Sequence, residues 1–205
     1  MMAGTVALVL LTFFVISNQV HLRPAPFFIS RKVAHFGAGI AIALLPLWFS
    51  SILWPALLSG GFLLLLLATH RTSIWHGFAR PGRISEVVFA LSVFISIMVA
   101  WNIDPWLSIL PGLFMAFGDG VTGLVRYRVY RREVKGWWGT AACLVACALL
   151  ALLVQPYWVG LAGAAIFSVV EKLCGDVGRI KIDDNLAAPL AALAVMAPLY
   201  LFVGG

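Results

Sequence analysis

The residues best suited to chemistry in this sequence are acids and bases that interrupt apolar segments. Arg31 and Lys32 precede His35, which lies about one turn into an apolar segment close to Gly37 and Gly39. Arg31 and Lys32 fit a structural role as bases at a helix end whose charged groups extend to the membrane interface. An ionisable residue at the depth of His35 usually faces a bundle interior or a polar cavity. On spacing alone, a structural role and a functional role for His35 are therefore equally well supported.

A second group surrounds Asp119, which stands between Gly118 and Gly120 inside another apolar segment. An acid at this depth is costly unless it pairs or binds a cation, and the glycines allow close approach of a ligand or a backbone. Five bases follow within about sixteen residues, enough to hold a polyphosphate with Mg²⁺ at Asp119: Arg126, Arg128, Arg131, Arg132 and Lys135. A small-residue packing stretch before an ordinary basic loop is the alternative interpretation.

A third group comprises Glu171, at the end of an apolar segment, and the run Asp183, Asp184 and Asn185 at the start of the last one. Singly, the run fits a helix N-cap with acids placed on the helix dipole. Carboxylates are also ligands for Mg²⁺. Together with Asp119, these acids predict a metal–nucleotide site.

Composition indicates which elements must position these groups. Of the 205 residues, 62% are hydrophobic and 11% are charged, against about a quarter charged in soluble domains, and the mean hydropathy is +1.02. Alternating ten-residue strands typical of a membrane barrel do not occur. We expect an all-α, polytopic transmembrane bundle, a single integral membrane domain over 1–205. Its spans, about eight and at least six, are predicted at 3–19, 33–49, 51–69, 85–101, 105–125, 139–154, 157–172 and 186–203.

The distribution of charge predicts the orientation of the bundle. All fourteen Lys and Arg residues fall after the first, third, fifth or seventh predicted span. This alternation places those loops in the cytoplasm and both termini on the non-cytoplasmic side. It also explains the net charge of +6 without nucleic-acid binding. Seven of the eight acids share the basic face, leaving Asp104 opposite, which indicates a cytoplasmic-side site because acids contribute little to orientation.

Further expectations concern the first apolar segment, the cysteines and the cellular location. The first apolar segment has no preceding base and no clear cleavage site, so a retained helix is expected rather than a signal peptide. The three cysteines show no metal-ligand spacing and are expected to pack as small apolar residues. In a bacterial or archaeal cell the plasma membrane is the expected location.

At these positions the sequence resembles the membrane CTP-dependent lipid-alcohol kinases, a family that includes phytol kinase, dolichol kinase and the CTP-dependent diacylglycerol kinase. Three motifs match in order and spacing over about three quarters of the chain. They are R-K-x-x-H ending at His35, G-D-G around Asp119 followed by K-G-W-W-G-T from Lys135, and V-E with D-D-N-L-x-x-P ending at Pro189. Three positions depart from the family pattern. Thr122 stands where the family usually has alanine, Arg126 where it often has glycine, and Trp138 where it has an acid.

The resemblance implies transfer of a phosphoryl group from CTP to the hydroxyl of a membrane isoprenoid alcohol of the phytol, geranylgeraniol or polyprenol type. Mg²⁺ would be held by Asp119, Asp183 and Asp184. The alcohol would be oriented or deprotonated by His35 or Glu171, with that choice left open. The nucleotide would contact Lys32, Gly118, Gly120, Arg126, Arg128, Lys135, Gly139 and Asn185.

Two other functions remain compatible with the sequence. A cytidylyltransferase that makes a CDP-lipid from a phospholipid acid and CTP needs the same charges but releases pyrophosphate. A non-enzymatic transporter or scaffold would use the acids to bind an ion. Such a transporter typically carries polar residues near the middle of the bilayer and inverted repeats, whereas the acids here gather at one face and no repeat is evident.

Overall fold

The apolar segments of the sequence fold as helices in the computed structural model, which describes residues 2–21, 27–72, 74, 84–130, 136–174, 176–177, 180–181 and 183–204. The helices are α1 (Met2–His21), α2 (Phe27–Trp48), α3 (Leu53–Thr69), α4 (Ser85–Ala100), α5 (Pro105–Leu113), a π-helix (Phe114–Asp119), α6 (Gly120–Tyr130), α7 (Trp137–Ala151), α8 (Tyr157–Leu173) and α9 (Asp184–Gly204). Two short antiparallel strands, β1 (Asp176–Val177) and β2 (Ile180–Lys181), connect α8 to α9.

The predicted all-α class is confirmed for the described residues, since each predicted span coincides with a helix and α5, the π-helix and α6 form one continuous rod. Three stretches are long and apolar enough to cross a membrane by length and composition: Met2–Val20, Pro105–Tyr130 and Asp184–Val203. Large apolar side chains also cover the outside of the bundle, among them Leu64, Leu149 and Phe202. A surface of this kind is typical of a protein that contacts lipid rather than water.

The second helix begins earlier than the sequence predicted. It starts at Phe27 rather than near residue 33, so Arg31 and Lys32 lie inside the helix and not at its entrance. The added turn packs beside α1, where the Ser17 hydroxyl donates to the Ser30 carbonyl oxygen at 2.7 Å. His35 consequently lies two turns into α2, one turn deeper than predicted.

A continuous apolar core holds the helices together. It is formed by buried residues of α2, α4, α5, the π-helix, α7, α8 and α9, joined by Val6 of α1. A smaller cluster joins α3 to α1, α2 and α4. The closest packing joins α1 with α2, α3 with α4, α4 with α5, α6 with α7, α7 with α8 and α8 with α9, and α4 also packs on α9. The α4–α9 contact brings the last helix back beside the middle of the chain.

The π-helix departs from regular α geometry at the acid that the sequence singled out. Thr122 donates its hydroxyl to the Gly118 carbonyl oxygen at 2.7 Å where the π turn meets α6. A Cβ atom on Gly118 would lie 2.5 Å from Cys147 Sγ, and one on Gly120 would lie 3.0 Å from the Phe36 ring. The two glycines therefore let this segment fit between α7 and α2. Such π turns are frequent at functional sites.

Candidate functional site

Except for Asp104, the acids of the described chain gather with several bases at one end of the bundle, and this group is called here the polar cluster. It lies where α2, α4 and α9 begin and where α8 ends. Contacts between side chains connect its members across the helices: Arg31 with Glu86, Lys32 with Asp119, Arg126 with Glu171, and Ser85 with Asp183. The sequence predicted that the charged residues among these share a face, and the contacts show that they meet in pairs.

Lys32 and Asp119 form the centre of the polar cluster. Lys32 Nζ donates to Asp119 Oδ2 at 2.5 Å and to the Asp119 backbone carbonyl oxygen at 3.0 Å. The side chains are 7% and 15% exposed, respectively. Because a buried acid is costly without a partner, this pair explains how Asp119 is accommodated between apolar helices. Double donation to one residue also fixes the position of the ammonium group.

His35 adjoins this pair without completing a hydrogen bond to it. Its Nδ1 atom lies 3.7 Å from Asp119 Oδ2, which is longer than a hydrogen bond. The residue is 3% exposed, and neither ring nitrogen has a hydrogen-bond partner within the described residues. Its ring stacks on Phe89 of α4, with centroids 5.5 Å apart. A buried polar side chain in this state has the capacity to bind a ligand group.

Arg126 and Glu171 form a second buried pair. Arg126 Nη1 and Nη2 donate to Glu171 Oε1 and Oε2, both at 3.1 Å, so the contact is bidentate. The Glu171 side chain is 1% exposed. A Cβ atom on Gly139 would lie 2.5 Å from Arg126 Nε, so this glycine leaves room for the guanidinium group. The pair links α6 to α8 beside the start of α7.

The acids at the start of α9 serve first to begin that helix. Asp183 Oδ1 accepts from the Asn185 backbone N–H at 3.0 Å, and Asp183 Oδ2 accepts from the Ser85 hydroxyl at 2.7 Å. Asn185 Nδ2 donates to the Ser85 carbonyl oxygen at 3.1 Å. This is the N-cap arrangement that the sequence offered as an alternative. Asp184 lies in the first turn and is partly exposed.

The acids predicted to share Mg²⁺ do not form one donor set. Among the residues with described positions, no group of three or more His, Cys, Asp or Glu side chains is arranged to hold a metal ion. Asp119 is engaged by Lys32, and Asp183 uses both carboxylate oxygens at the start of α9. Mg²⁺ commonly takes only one or two carboxylates together with phosphate oxygens and water. The shared-metal assignment therefore stays a prediction.

An apolar crevice runs away from the polar cluster between α1, α2, α3 and α4. Its lining includes Leu10, Ala38, Ala41, Phe62 and Phe89, and it is partly open to the outside of the bundle. The residue on which His35 stacks is thus also a wall of the crevice. An apolar channel with a polar group at one end is the usual design of a site for a small amphipathic molecule.

The opposite end of the bundle carries a different acid. Asp104 caps α5, accepting from the Leu107 backbone N–H at 2.7 Å. Its Oδ2 atom accepts from the Tyr200 hydroxyl at 3.3 Å. Since α4 and α9 both run from the polar cluster towards Asp104, the structure separates this acid from the others, as the sequence predicted.

The structure distributes the predicted site residues unevenly. It brings together Lys32, His35 and Asp119, and in a second group Arg126, Glu171 and Gly139. Arg128 is exposed in the last turn of α6, and Lys135 lies outside the described residues. The sequence pattern did not indicate Phe89 or Ser85 as partners of the site. A serine one position before Glu86 and an aromatic residue three positions after it carry no signal until α4 is packed against α2 and α9.

No family model, no curated protein and no solved structure matches this chain. The structure itself defines the class of protein: an all-helical bundle with helices capable of spanning a membrane and with buried ion pairs at one end.

Proposed function

We propose that this protein is a kinase that transfers a phosphoryl group from CTP to the hydroxyl of a membrane isoprenoid alcohol. The observation that carries the proposal is the position of His35. It is a buried imidazole without a hydrogen-bond partner in the described chain, beside the Lys32–Asp119 pair and next to an apolar crevice. A lipid alcohol has the matching composition, an apolar chain that ends in one hydroxyl group.

Phosphoryl transfer requires mainly that the reactants be positioned and that phosphate charge be neutralised. In the proposed reaction the alcohol oxygen attacks the terminal phosphorus of CTP. The bond from this phosphorus to the bridging oxygen breaks, CDP leaves, and the hydroxyl proton passes to His35. Lys32, held by Asp119, binds a phosphate oxygen. Mg²⁺ bound with the nucleotide would supply further charge neutralisation.

The choice between His35 and Glu171 as the group that contacts the alcohol is resolved in favour of His35 in this proposal. Both carboxylate oxygens of Glu171 are engaged by Arg126, and a direct role would require this pair to open. We therefore assign Arg126 and Glu171 to positioning α6 against α8. The nucleotide is left to Lys32 and to the bases that follow α6.

The proposed bundle crosses the membrane eight times with the polar cluster in the cytoplasm. The separation of Asp104 from the remaining described acids supports this orientation, and so does the alternation of basic loops. CTP would then reach the site from the cytoplasm, and the alcohol would reach it from the bilayer. The hydroxyl group of such a lipid lies at the membrane interface, close to the proposed depth of the cluster.

The test is a transfer assay on detergent-purified protein with Mg²⁺. Each nucleoside triphosphate, labelled on its terminal phosphate, is offered with a panel of prenols, with diacylglycerol and, as the acceptor for cytidylyl transfer, with a phospholipid acid. Label that enters a prenol with CTP alone is the expected result. Release of pyrophosphate, with no label in a lipid alcohol, would assign the protein to cytidylyl transfer instead. Absence of nucleotide binding would remove both enzymatic functions and leave a transporter or scaffold.

A further inference from the structure

The crevice between α1 and α4 has properties that restrict what can occupy it. Its volume is about 50 Å³, whereas a single water-sized site needs about 10–15 Å³. The space therefore suits a few carbon groups of one thin chain and is too narrow for two chains side by side. Small side chains of α2 and α4, namely Ala38, Ala41 and Ala90, keep it open.

The polarity of the crevice changes along its length. Its lining is apolar except for Ser59, and the Ser59 hydroxyl is engaged by the Pro55 carbonyl oxygen at 2.7 Å. His35 is not part of the lining, but its ring stacks on Phe89, which is, and its two ring nitrogens have no hydrogen-bond partner in the described chain. An occupant of the crevice must therefore be apolar along its body, and one that extends past Phe89 to His35 needs a polar group at that tip.

We propose that this crevice binds the hydrocarbon chain of a single-chain lipid alcohol that enters sideways from the bilayer, with its hydroxyl at His35. This inference rests on the proposed function and specifies where the lipid lies. It also predicts selection against two-chain lipids such as diacylglycerol, because the second chain has no room beside Ala38 and Ala41. The lateral opening lets the remainder of a long chain stay in the membrane.

The probe for this site is a single-chain primary alcohol with a photoreactive diazirine in the middle of its chain, applied to the full-length protein in detergent. Its attachment points are mapped by mass spectrometry. We expect saturable labelling of residues that line the crevice, such as Leu10, Phe62 and Val93, and competition by an unlabelled prenol. A diacylglycerol carrying the same diazirine should label the crevice about tenfold less, a difference of about 1.4 kcal/mol.

A pair of variants on α3 provides a matched comparison. Ser59→Phe places a ring in the crevice, whereas Gly61→Phe, two residues further along, projects where an added Cβ meets nothing within 4 Å. Ser59→Phe should reduce saturable labelling about tenfold and leave CTP binding unchanged. Gly61→Phe should label like the unmodified protein. Retained CTP binding shows that Ser59→Phe has folded, and mapping on the unmodified protein does not depend on either variant.

The outcomes separate this inference from the kinase proposal. Labelling spread over outward-facing residues such as Leu64 and Leu149, without competition, would overturn the crevice site. Equal labelling of Ser59→Phe and Gly61→Phe would do the same even if prenol is phosphorylated. Saturable crevice labelling without any phosphoryl transfer would leave the lipid site standing and remove the kinase function.

Discussion

Asp119 and Lys32 form an ion pair at the centre of the polar cluster. Burial of either charged side chain would be costly without the other. A charge-assisted hydrogen bond is about twice as strong as a neutral one, and this one lies between largely buried side chains. Removing the negative charge leaves the Lys32 ammonium without its counter-charge. The ammonium then loses the contact that fixes its position, and with it the placement that we propose for binding a phosphate oxygen.

For Asp119→Asn we therefore expect turnover of CTP and lipid alcohol to fall about 10²–10³-fold, the usual effect of removing one preorganised electrostatic group. The measurement is labelled-phosphate transfer at saturating substrates, with expression and melting temperature determined in parallel. Asp184→Asn is expected to lose turnover as well, as the sequence resemblance implies.

The matched control is Asp104→Asn, at the opposite end of the bundle. Asparagine caps helices about as well as aspartate, so this variant should keep its melting temperature and its full activity. Full activity in Asp119→Asn or in Asp184→Asn would remove that residue from the proposed site.

The Arg126–Glu171 pair lends itself to a stability prediction. Removal of one member of a buried ion pair costs about 3–5 kcal/mol because the other charge stays buried without compensation. We expect Glu171→Leu to lower the free energy of unfolding in detergent by about that amount. The double variant Arg126→Met with Glu171→Leu should recover most of it, since well-packed apolar residues often replace such pairs at little cost.

Thermal unfolding of the unmodified protein, the single variant and the double variant is monitored by intrinsic tryptophan fluorescence. Transfer assays on the double variant test the positioning role. Equal melting temperatures for the single and double variants would show that an uncompensated Arg126 charge is not the source of the loss. Retained activity in the double variant supports positioning, whereas abolished activity at normal stability would restore a direct role for Glu171.

At the scale of elements, the π-helix decides where Asp119 lies. Gly118 sits against Cys147 of α7, and an added Cβ atom would approach its Sγ atom to 2.5 Å. Gly118→Ala must push this segment towards α2 or displace α7, and overpacking of this kind costs about 1–3 kcal/mol. We expect a lower melting temperature together with reduced turnover, because Asp119 is the next residue and moves with the backbone.

Cys147→Ala removes the sulfur atom that the added methyl group would meet, and so serves as the compensating change. The combination of Gly118→Ala with Cys147→Ala should recover more stability than the two separate losses predict, as expected for residues in contact. Simple additivity of the two effects would show that the close approach of Gly118 to α7 is unimportant. Melting temperatures and turnover of all four proteins provide the comparison.

At the scale of the whole molecule, charge separation between the two ends of the bundle implies an orientation in the membrane. We expect single cysteines, introduced after replacement of the three native ones, to divide into two groups. The exposed variant Thr72→Cys should react with a membrane-impermeant reagent only after permeabilisation, because this turn follows α3 on the predicted basic face. Cysteines at exposed Ser51, Asn102 and Gln155 should react in intact cells.

The extent of cysteine modification is measured in intact and in permeabilised cells. A known cytoplasmic protein serves as the control for leakage. Reaction of Thr72→Cys in intact cells would invert the proposed orientation. Mixed behaviour among the other three positions would instead indicate fewer than eight crossings, since these turns are predicted to share one side.

Much of the architecture followed from the sequence because its determinants are local. A helix forms where about twenty apolar residues follow one another, and the eight predicted segments correspond to the observed helical rods. The separation of Asp104 from the other acids also followed from the distribution of charge. The start of α2 was misplaced, because the turn from Phe27 to Ser30 is stabilised by its contact with α1 rather than by its own pattern.

The composition of the site was predictable, but its pairing was not. The sequence by itself determined that Asp119 needs a positive partner, since an isolated acid among apolar helices is costly. It predicted Mg²⁺ in that role and left the five bases that follow to hold phosphate. Only the tertiary structure decided that Lys32 is that partner and that Arg126 binds Glu171 instead. Such choices depend on helix rotation and register, which arise from many small packing contacts between segments far apart in the chain.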